Sequence, residues 1–461
     1  MHQHQSVCLK SSTRPLALAA AALLSATLFA GVAHAQQVVP APKAKAAAKP
    51  TPAKQASGPA LPLVSKAPEP TFDEGTAQRI ANAMLSYSAL EVRGGWPTMP
   101  PSVGNLAPGA QGAEVALLRQ RLAMTDDLPA EKIAGDVFDA ELSAAIRRFQ
   151  ARHGVPPTGI VGPKTLTALN VPVKQRLHQL AASLDRLASL DFVFGQRYVV
   201  VNIPAAFAEA VVGDHVVRRY VVVVGKPDRP SPMVTSQITT VNLNPTWTVP
   251  LSIMKKDVIP RMRKDPGYLA RMHMRALDGA GREIDTAGID WQSDRSPNFN
   301  IRQDSGTWNA LGSVRIDMPN SESVYMHDTN HKEFFSADYR FQSSGCSRVD
   351  DPRGLATWLL EDNPGWGRKQ IDAAIATGQR TDVRLNHKVP VAWIYLTGWA
   401  TRDGAIHFRD DVYGHDKHPA RPLVADARPP VAVAARASGF VLQSADPQPI
   451  AVKQMSYLDS Q

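Results

Sequence analysis

The segment "RYVVVNIPAAFAEAVVGDHVVRRYVVVVGKPDRPSP", Arg197 to Pro232, constrains the fold more than any other part of the chain. Its β-branched runs break at Asn202-Ile203-Pro204 and at Gly213-Asp214, the pattern of paired strands and a hairpin: branched side chains fit a pleated surface, and Gly and Asp accept turn conformations. "TSQITTVNLNPTWTVP" continues the pattern, and strand-like segments return at "GSVRIDMPN" and "SVYMHDT". Between them "IMKKDVIPRMRKDPGYLARMHM" turns helical and irregular. Residues 196–386 therefore read as one mostly β domain with a helical insertion at about 255–290 that is expected to cap its cleft. Residues 387–420 read as a C-terminal extension.

The preceding part has a different period. "TAQRIANAMLSYSAL" is an amphipathic stretch within 73–102, read as a helical scaffold. In 103–171, Val115, Leu118 and Leu122 recur at helical spacing, and Leu142, Ile146 and Phe149 share one face of a second helix that Asp139 is placed to cap. A third, short helix starts at Pro163 after Gly162. "VKQRLHQLAASLDRLASL", in 172–195, reads as a connecting helix.

Residues 1–35 have the layout of a secretory signal: Lys10 and Arg14, the apolar "PLALAAAALLSATLFAGVA", and the small-x-small Ala33-His34-Ala35. Uncleaved, the same segment would be a membrane anchor; either way the rest of the protein is expected outside the cytoplasm. Residues 36–72, rich in Pro, Ala and Lys, offer no face to bury and read as a semi-extended linker; 421–461 reads as a loose tail. The formal charge of +9 falls to 9 − 2 = +7 without Lys10 and Arg14, a scattered excess with no nucleic-acid module.

Exported chains use cysteines in pairs. This one has Cys8 and Cys346 alone, and Cys8 falls in the leader. By solitude, Cys346 is either a reactive thiol or a small buried hydrophobe. Its neighbourhood, "YMHDTNHKEFFSADYRFQSSGCSRVDDP", also carries His327, which ends a strand, while Cys346 follows the turn "SSG", so a hairpin-like return would bring them together. An imidazole in reach of a thiol accepts its proton and leaves a thiolate–imidazolium pair. Gly345 removes a side chain where a substrate carbonyl would approach, and the N–H groups of Cys346 and of a neighbour such as Ser344 are candidate oxyanion donors. Strand alternation puts Tyr325 on the His327 face, as a site-lining residue or a core aromatic. Arg348 is a candidate carboxylate receptor, in competition with an ion pair to Asp350 or Asp351. Asn309 is a further candidate substrate contact, or with Gly312 it shapes a turn beneath the site. No second metal ligand stands at a metal spacing from Cys346.

Two resemblances rest on longer patterns. "GAQGAEVALLRQRL", "VFDAELSAAIRRFQARHG" and "TGIVGPKTLTALN" resemble the peptidoglycan-binding domain family. "RYVVVNIPA", "VVVGKPDRPSP", "LNPTWTVP", "IRQDSGTWNALGSVRIDMPN", "YMHDT" and "SSGCSRVDDP" resemble the L,D-transpeptidase family, in its larger Gram-negative type with an N-terminal wall-binding domain and a capping insertion. Many members carry Ser-His-Gly-Cys where this chain has Ser343-Ser344-Gly345-Cys346. The resemblance implies an α+β multidomain fold: a small helical peptidoglycan-binding domain plus a mostly β catalytic domain with a helical capping insertion. It implies a periplasmic enzyme that forms 3→3 cross-links between tetrapeptide stems through a Cys346 thioester, with His327 as base, no metal or organic cofactor, and capture by carbapenem-type β-lactams. Resolution of the same thioester by water or a protein lysine, and a non-catalytic wall-binding scaffold, are the alternatives.

Overall fold

In the computed structural model of the chain, residues 67–293, 295 and 297–417 are described. The expected leader, nearly all of the 36–72 linker and the 421–461 tail lie outside the described residues. No helix among those described is long and apolar enough to cross a membrane.

The chain begins with α1 (Thr76–Val92), α2 (Ala113–Ala123), α3 (Ala140–Arg152), α4 (Pro163–Leu169) and α5 (Val173–Ala188). Asp139 caps α3 by accepting from the Leu142 N–H at 2.8 Å, which satisfies a donor that a helix start leaves open. Pro163 opens α4 in the first turn, where its missing N–H costs nothing. Val115, Leu118, Leu122, Leu142, Ile146 and Phe149 close into one buried cluster, so the helical stripes of α2 and α3 face each other. Each such side chain contributes about 1.5–3 kcal/mol relative to exposure.

The strands follow: β1 (Arg197–Asn202), β2 (Phe207–Val212), β3 (His215–Gly225) and β4 (Val234–Leu243). An insertion then holds β5 (Trp247–Thr248), α6 (Leu251–Ile253), α7 (Ile259–Met262), α8 (Tyr268–Arg271), β6 (Met274–Leu277) and β7 (Asn300–Gln303). The chain ends with β8 (Val314–Asp317), β9 (Met326–His327), β10 (Phe341–Ser343), β11 (Ser347–Val349), α9 (Pro352–Leu359), α10 (Arg368–Ala376), β12 (Thr381–Ile394), β13 (Gly398–Ala400) and β14 (Ile406–Phe408).

The main sheet runs β10-β3-β11-β9-β8-β4-β12-β1-β2, and β2 also pairs with β3, which closes the sheet on itself. Closure leaves few unpaired edge groups. Val199 and Val201 of β1, with Val391 and Trp393 of β12, pack toward α9 and α10; Tyr198, Val200, Ala392 and Ile394 face α1 and α5. Strands buried on both sides explain the near-continuous β-branched runs. The β2–β3 hairpin turns at Gly213 and Asp214, as its sequence predicts.

The sheet continues past 386: β12 runs through that boundary, and its residues Val391–Ile394 pair in parallel with β1, so part of 387–420 is strand. The scaffold helix α1 and the connecting helix α5 are likewise the cover of one sheet face. The insertion is not purely helical. It spans about 247–303, carries its own sheet in the order β5-β7-β6, and packs Val249, Met254, Val258, Met262, Leu269 and Ile301 into a separate core.

Candidate active site

Three short strands build the site. β9 pairs in parallel with β11, with Met326 opposite Ser347 and His327 opposite Arg348, and antiparallel with β8, with Arg315 opposite His327. Side chains alternate across a sheet, so Tyr325, His327, Cys346, Arg348 and Arg315 share one face while Met326, Ser347 and Ile316 turn to the other. The expected hairpin-like return is therefore wrong in kind. A parallel pair needs a crossover, and residues 328–346 supply it through a 3₁₀ turn at Lys332–Ser336 and then β10.

Cys346 sits in the turn between β10 and β11, which flank β3 on its two sides. It is half-buried, and it is the free cysteine among the described residues. Gly345 has φ +117°, a conformation that L side chains resist. The turn is cross-braced: Ser343 Oγ donates to the Cys346 carbonyl at 2.6 Å, and the Gly345 N–H donates to Ser343 Oγ at 3.2 Å. Ser344 is exposed and its hydroxyl lies 3.2 Å from Arg229 Nη1.

His327 is buried. Its Nδ1 hydrogen-bonds to the carbonyl oxygen of Asp328, so Nδ1 carries the proton and Nε2 is the basic nitrogen. The Asp328 carboxylate does not touch the ring: Oδ2 accepts from the Ser313 N–H and Oγ, both at 2.8 Å, and Oδ1 from the Thr329 N–H and Lys332 Nζ. Gly312 is required there. It has φ +58°, and a Cβ on it would meet the Asp328 carboxyl at 2.5 Å.

Burial sets the protonation states. It pushes the His327 imidazole down to about 3, with the Arg348 and Arg315 charges adding to the effect. It pushes the Cys346 thiol up to about 11, although hydrogen bonding from Tyr325 and the same two arginines pull the other way. Both shifts favour a neutral thiol and a neutral imidazole at rest over the charged pair, because desolvation penalises both charged forms.

Tyr325 lies 5.7 Å from the His327 ring, centroid to centroid, and Arg315 sits over its other environment with the guanidinium 4.3 Å from the phenol ring. Arg348 stacks over Phe334 at 5.3 Å and does not pair with Asp350 or Asp351; its Nε and Nη1 are buried without a partner among the described residues. Asp351 instead caps α9 through the Gly354 N–H at 2.9 Å. Asn309 is fully buried, donates to the carbonyls of Pro245 and Asp304, and accepts from Leu311 N; as a substrate contact it is corrected to a turn-builder. Sequence reasoning missed Arg315, Arg229 and the Asp328 carbonyl. Only register brings the first to the site, and no side-chain motif marks the last.

A cleft of about 600 Å³ opens beside Tyr325, lined by Trp247, Thr248 and Pro250 at the base of the insertion, by Arg315 and Asp317 of β8, and by Arg380. Among the described residues no group of three or more His, Cys, Asp or Glu side chains is arranged to hold a metal ion.

Residues 196–385 match the family described as "L,D-transpeptidase catalytic domain", and residues 111–169 the one described as "Putative peptidoglycan binding domain". A Haemophilus influenzae protein named "Putative L,D-transpeptidase" is 32% identical over 241 residues, 52% of this chain and 48% of its own, so the match spans about half the length of that relative. A solved L,D-transpeptidase fragment from Xylanimonas cellulosilytica is 15% identical, with 64% of this chain and 99% of that one covered at a TM-score of 0.21. L,D-transpeptidase 3 of Mycobacterium tuberculosis, solved with a faropenem-derived adduct, is 11% identical over 43% of this chain and 60% of its own, also at 0.21. Residues 196–385 thus belong to the L,D-transpeptidase catalytic domain family, and they follow a peptidoglycan-binding domain at residues 111–169.

Proposed function

We propose that the protein is an exported, periplasmic L,D-transpeptidase that cross-links peptidoglycan stems through Cys346. The observation that carries this reading is the shared face of Tyr325, His327, Cys346 and Arg348, which follows from the parallel register of β9 and β11. A tetrapeptide stem lies in the cleft, and a stem carboxylate meets the open donors of Arg348. Cys346 Sγ attacks the carbonyl carbon of the third residue as its proton passes to His327 Nε2. The oxyanion is held by the Cys346 N–H, since the Gly345 N–H is committed to Ser343. The intermediate collapses to a thioester, and the departing D-alanine nitrogen takes the proton back from His327. The side-chain amine of a diaminopimelate on a second stem then attacks the thioester, loses a proton to His327, and expels the sulfur, which is reprotonated; the product is a 3→3 cross-link.

A neutral resting pair suits this cycle. His327 starts as a base, and the thiol ionises only as it attacks, so no standing thiolate is exposed to oxidants. The test is mass spectrometry of the purified protein with a tetrapeptide donor and, separately, a carbapenem. A mass gain equal to the donor less D-alanine, located on Cys346, followed by 3→3 dimers when an acceptor is added, is the expected outcome. Hydrolysis without dimers would make the protein a carboxypeptidase, and no adduct with either reagent would leave a wall-binding scaffold.

A further inference from the structure

The loop between β3 and β4 carries Arg229 to the point where the insertion meets the nucleophile turn. Arg229 Nη2 lies 2.8 Å from Asp257 Oδ1 and its Nη1 contacts Asp257 Oδ2, a two-pronged ion pair to the π-helical turn Met254–Val258 of the insertion. The same Nη1 lies 3.2 Å from Ser344 Oγ, two residues before the thiol. One guanidinium therefore touches both the insertion and the turn. The loop is itself fixed to that turn, since Ser231 Oγ donates to the Gly345 carbonyl at 2.7 Å and accepts from the Gly225 N–H at 2.9 Å.

Of the two side chains, 16% of Arg229 and 33% of Asp257 are exposed, so salt screens the pair weakly. Their mutual hydrogen bond raises the arginine and holds the Asp257 carboxyl below the usual carboxylate range, so both are charged throughout the neutral range. The contact of Arg229 with Ser344 adds to the braces that Ser343 and Ser231 give the turn. Gly345 contributes no Cβ to stiffen it, and Ser344 is anchored through its hydroxyl to Arg229.

We propose that Arg229 is a positioning residue that makes the seating of the insertion and the posture of the Ser344–Gly345–Cys346 turn one coupled event. With the insertion seated, Asp257 holds the guanidinium where Nη1 reaches Ser344, and the turn presents its thiol and N–H in fixed relation. With the insertion lifted, Arg229 loses its acid, Ser344 loses its donor, and the turn relaxes. The planar fork of arginine grips two acceptors at once, which the point charge of lysine does not. This coupling rests on the Cys346 acyl-enzyme reading above and names the residue that links donor enclosure to nucleophile geometry.

The test is a double-mutant cycle on the full chain with Asp257→Asn, Ser344→Ala, the double variant, and Arg229→Lys. It reads acylation at saturating tetrapeptide donor, the half-saturating donor concentration, and alkylation of Cys346 by iodoacetamide. Coupling predicts that each single change slows saturated acylation on the order of tenfold, that the double variant is no slower than the slower single one, and that lysine at 229 gives no rescue. Ser344→Ala removes only a hydroxyl from an exposed residue, so its arm survives even where an insertion variant folds poorly. Effects that multiply, or an Asp257→Asn variant that shifts only thermal stability or half-saturation, would overturn the proposal. If the wild type shows no donor adduct, the transpeptidase reading fails by itself; the same cycle is then read in the alkylation rates, where multiplicative effects again overturn the coupling.

Discussion

Two buried polar regions of this molecule are built on opposite principles. Where the α2–α4 unit meets the C-terminal strands, Arg152 is enclosed with every nitrogen engaged: Nε lies 2.6 Å from Asp127 Oδ1, Nη2 contacts Asp127 Oδ2, and Nη1 donates to the Ile406 carbonyl at 3.0 Å. Arg409 returns a bond to the Arg152 carbonyl at 2.9 Å. On the catalytic face Arg348 is enclosed with Nε and Nη1 unmatched, beside a histidine and a cysteine held neutral. Unmatched buried donors cost about 1–3 kcal/mol each, a cost that a ligand pairing with them removes. The first region is a joint, and the second is, on the proposed reading, a receptor.

The sharpest way to break this contrast is to remove the thiol. Cys346→Ala should abolish donor adducts and 3→3 dimers while the thermal midpoint stays near wild type, because one small half-buried side chain is lost; residual dimers would move the nucleophile elsewhere. His327→Ala should slow acylation by roughly 10²–10⁴-fold, the usual worth of a positioned base. An unchanged rate would remove His327 from the chemistry.

Protonation offers a finer discrimination. With the thiol pushed up to about 11, its thiolate fraction grows as pH rises toward that value. Alkylation of Cys346 by iodoacetamide should therefore climb about tenfold per unit between about pH 7 and 10. A plateau from mildly acidic pH upward would instead reveal a standing ion pair.

Arg348→Ala should weaken donor acylation by roughly 10–100-fold through half-saturation, the worth of hydrogen bonds to a charged group, with little change in stability. Asp127→Ala should do the reverse: it strands Arg152 and costs about 3–5 kcal/mol of stability, while acylation by the folded fraction is unchanged. If the two variants behaved alike, the distinction between joint and receptor would be lost.

The helical unit was legible because its information is local. Val115, Leu118 and Leu122 repeat with the helical period, Asp139 precedes its helix by the spacing of a cap, and the structure completes both within a few turns of chain. The hairpin at Gly213-Asp214 was legible for the same reason. His327 and Cys346 were recognisable as candidates because a lone cysteine, close to a histidine in a chain whose start has the layout of a secretory signal, is chemically conspicuous. Their arrangement was not. Parallel and antiparallel pairings both fit the same alternating residues, and the choice between them depends on where β3 and β8 accept hydrogen bonds.

What the sequence by itself determined, then, is residue type and period: β-branched strand segments, a capped helical unit, and a histidine and a cysteine close together in the chain. Tertiary structure alone decided the rest. Register across β8, β9 and β11 brought Arg315 and Arg348 to the thiol face. The closure of the chain around them set the pKa of His327 and Cys346 through burial, a quantity no stretch of sequence contains. The insertion acquired its contact with the nucleophile turn through Arg229, because an ion pair across 28 residues and a hydrogen bond across 115 exist only once the sheet has fixed where each segment ends.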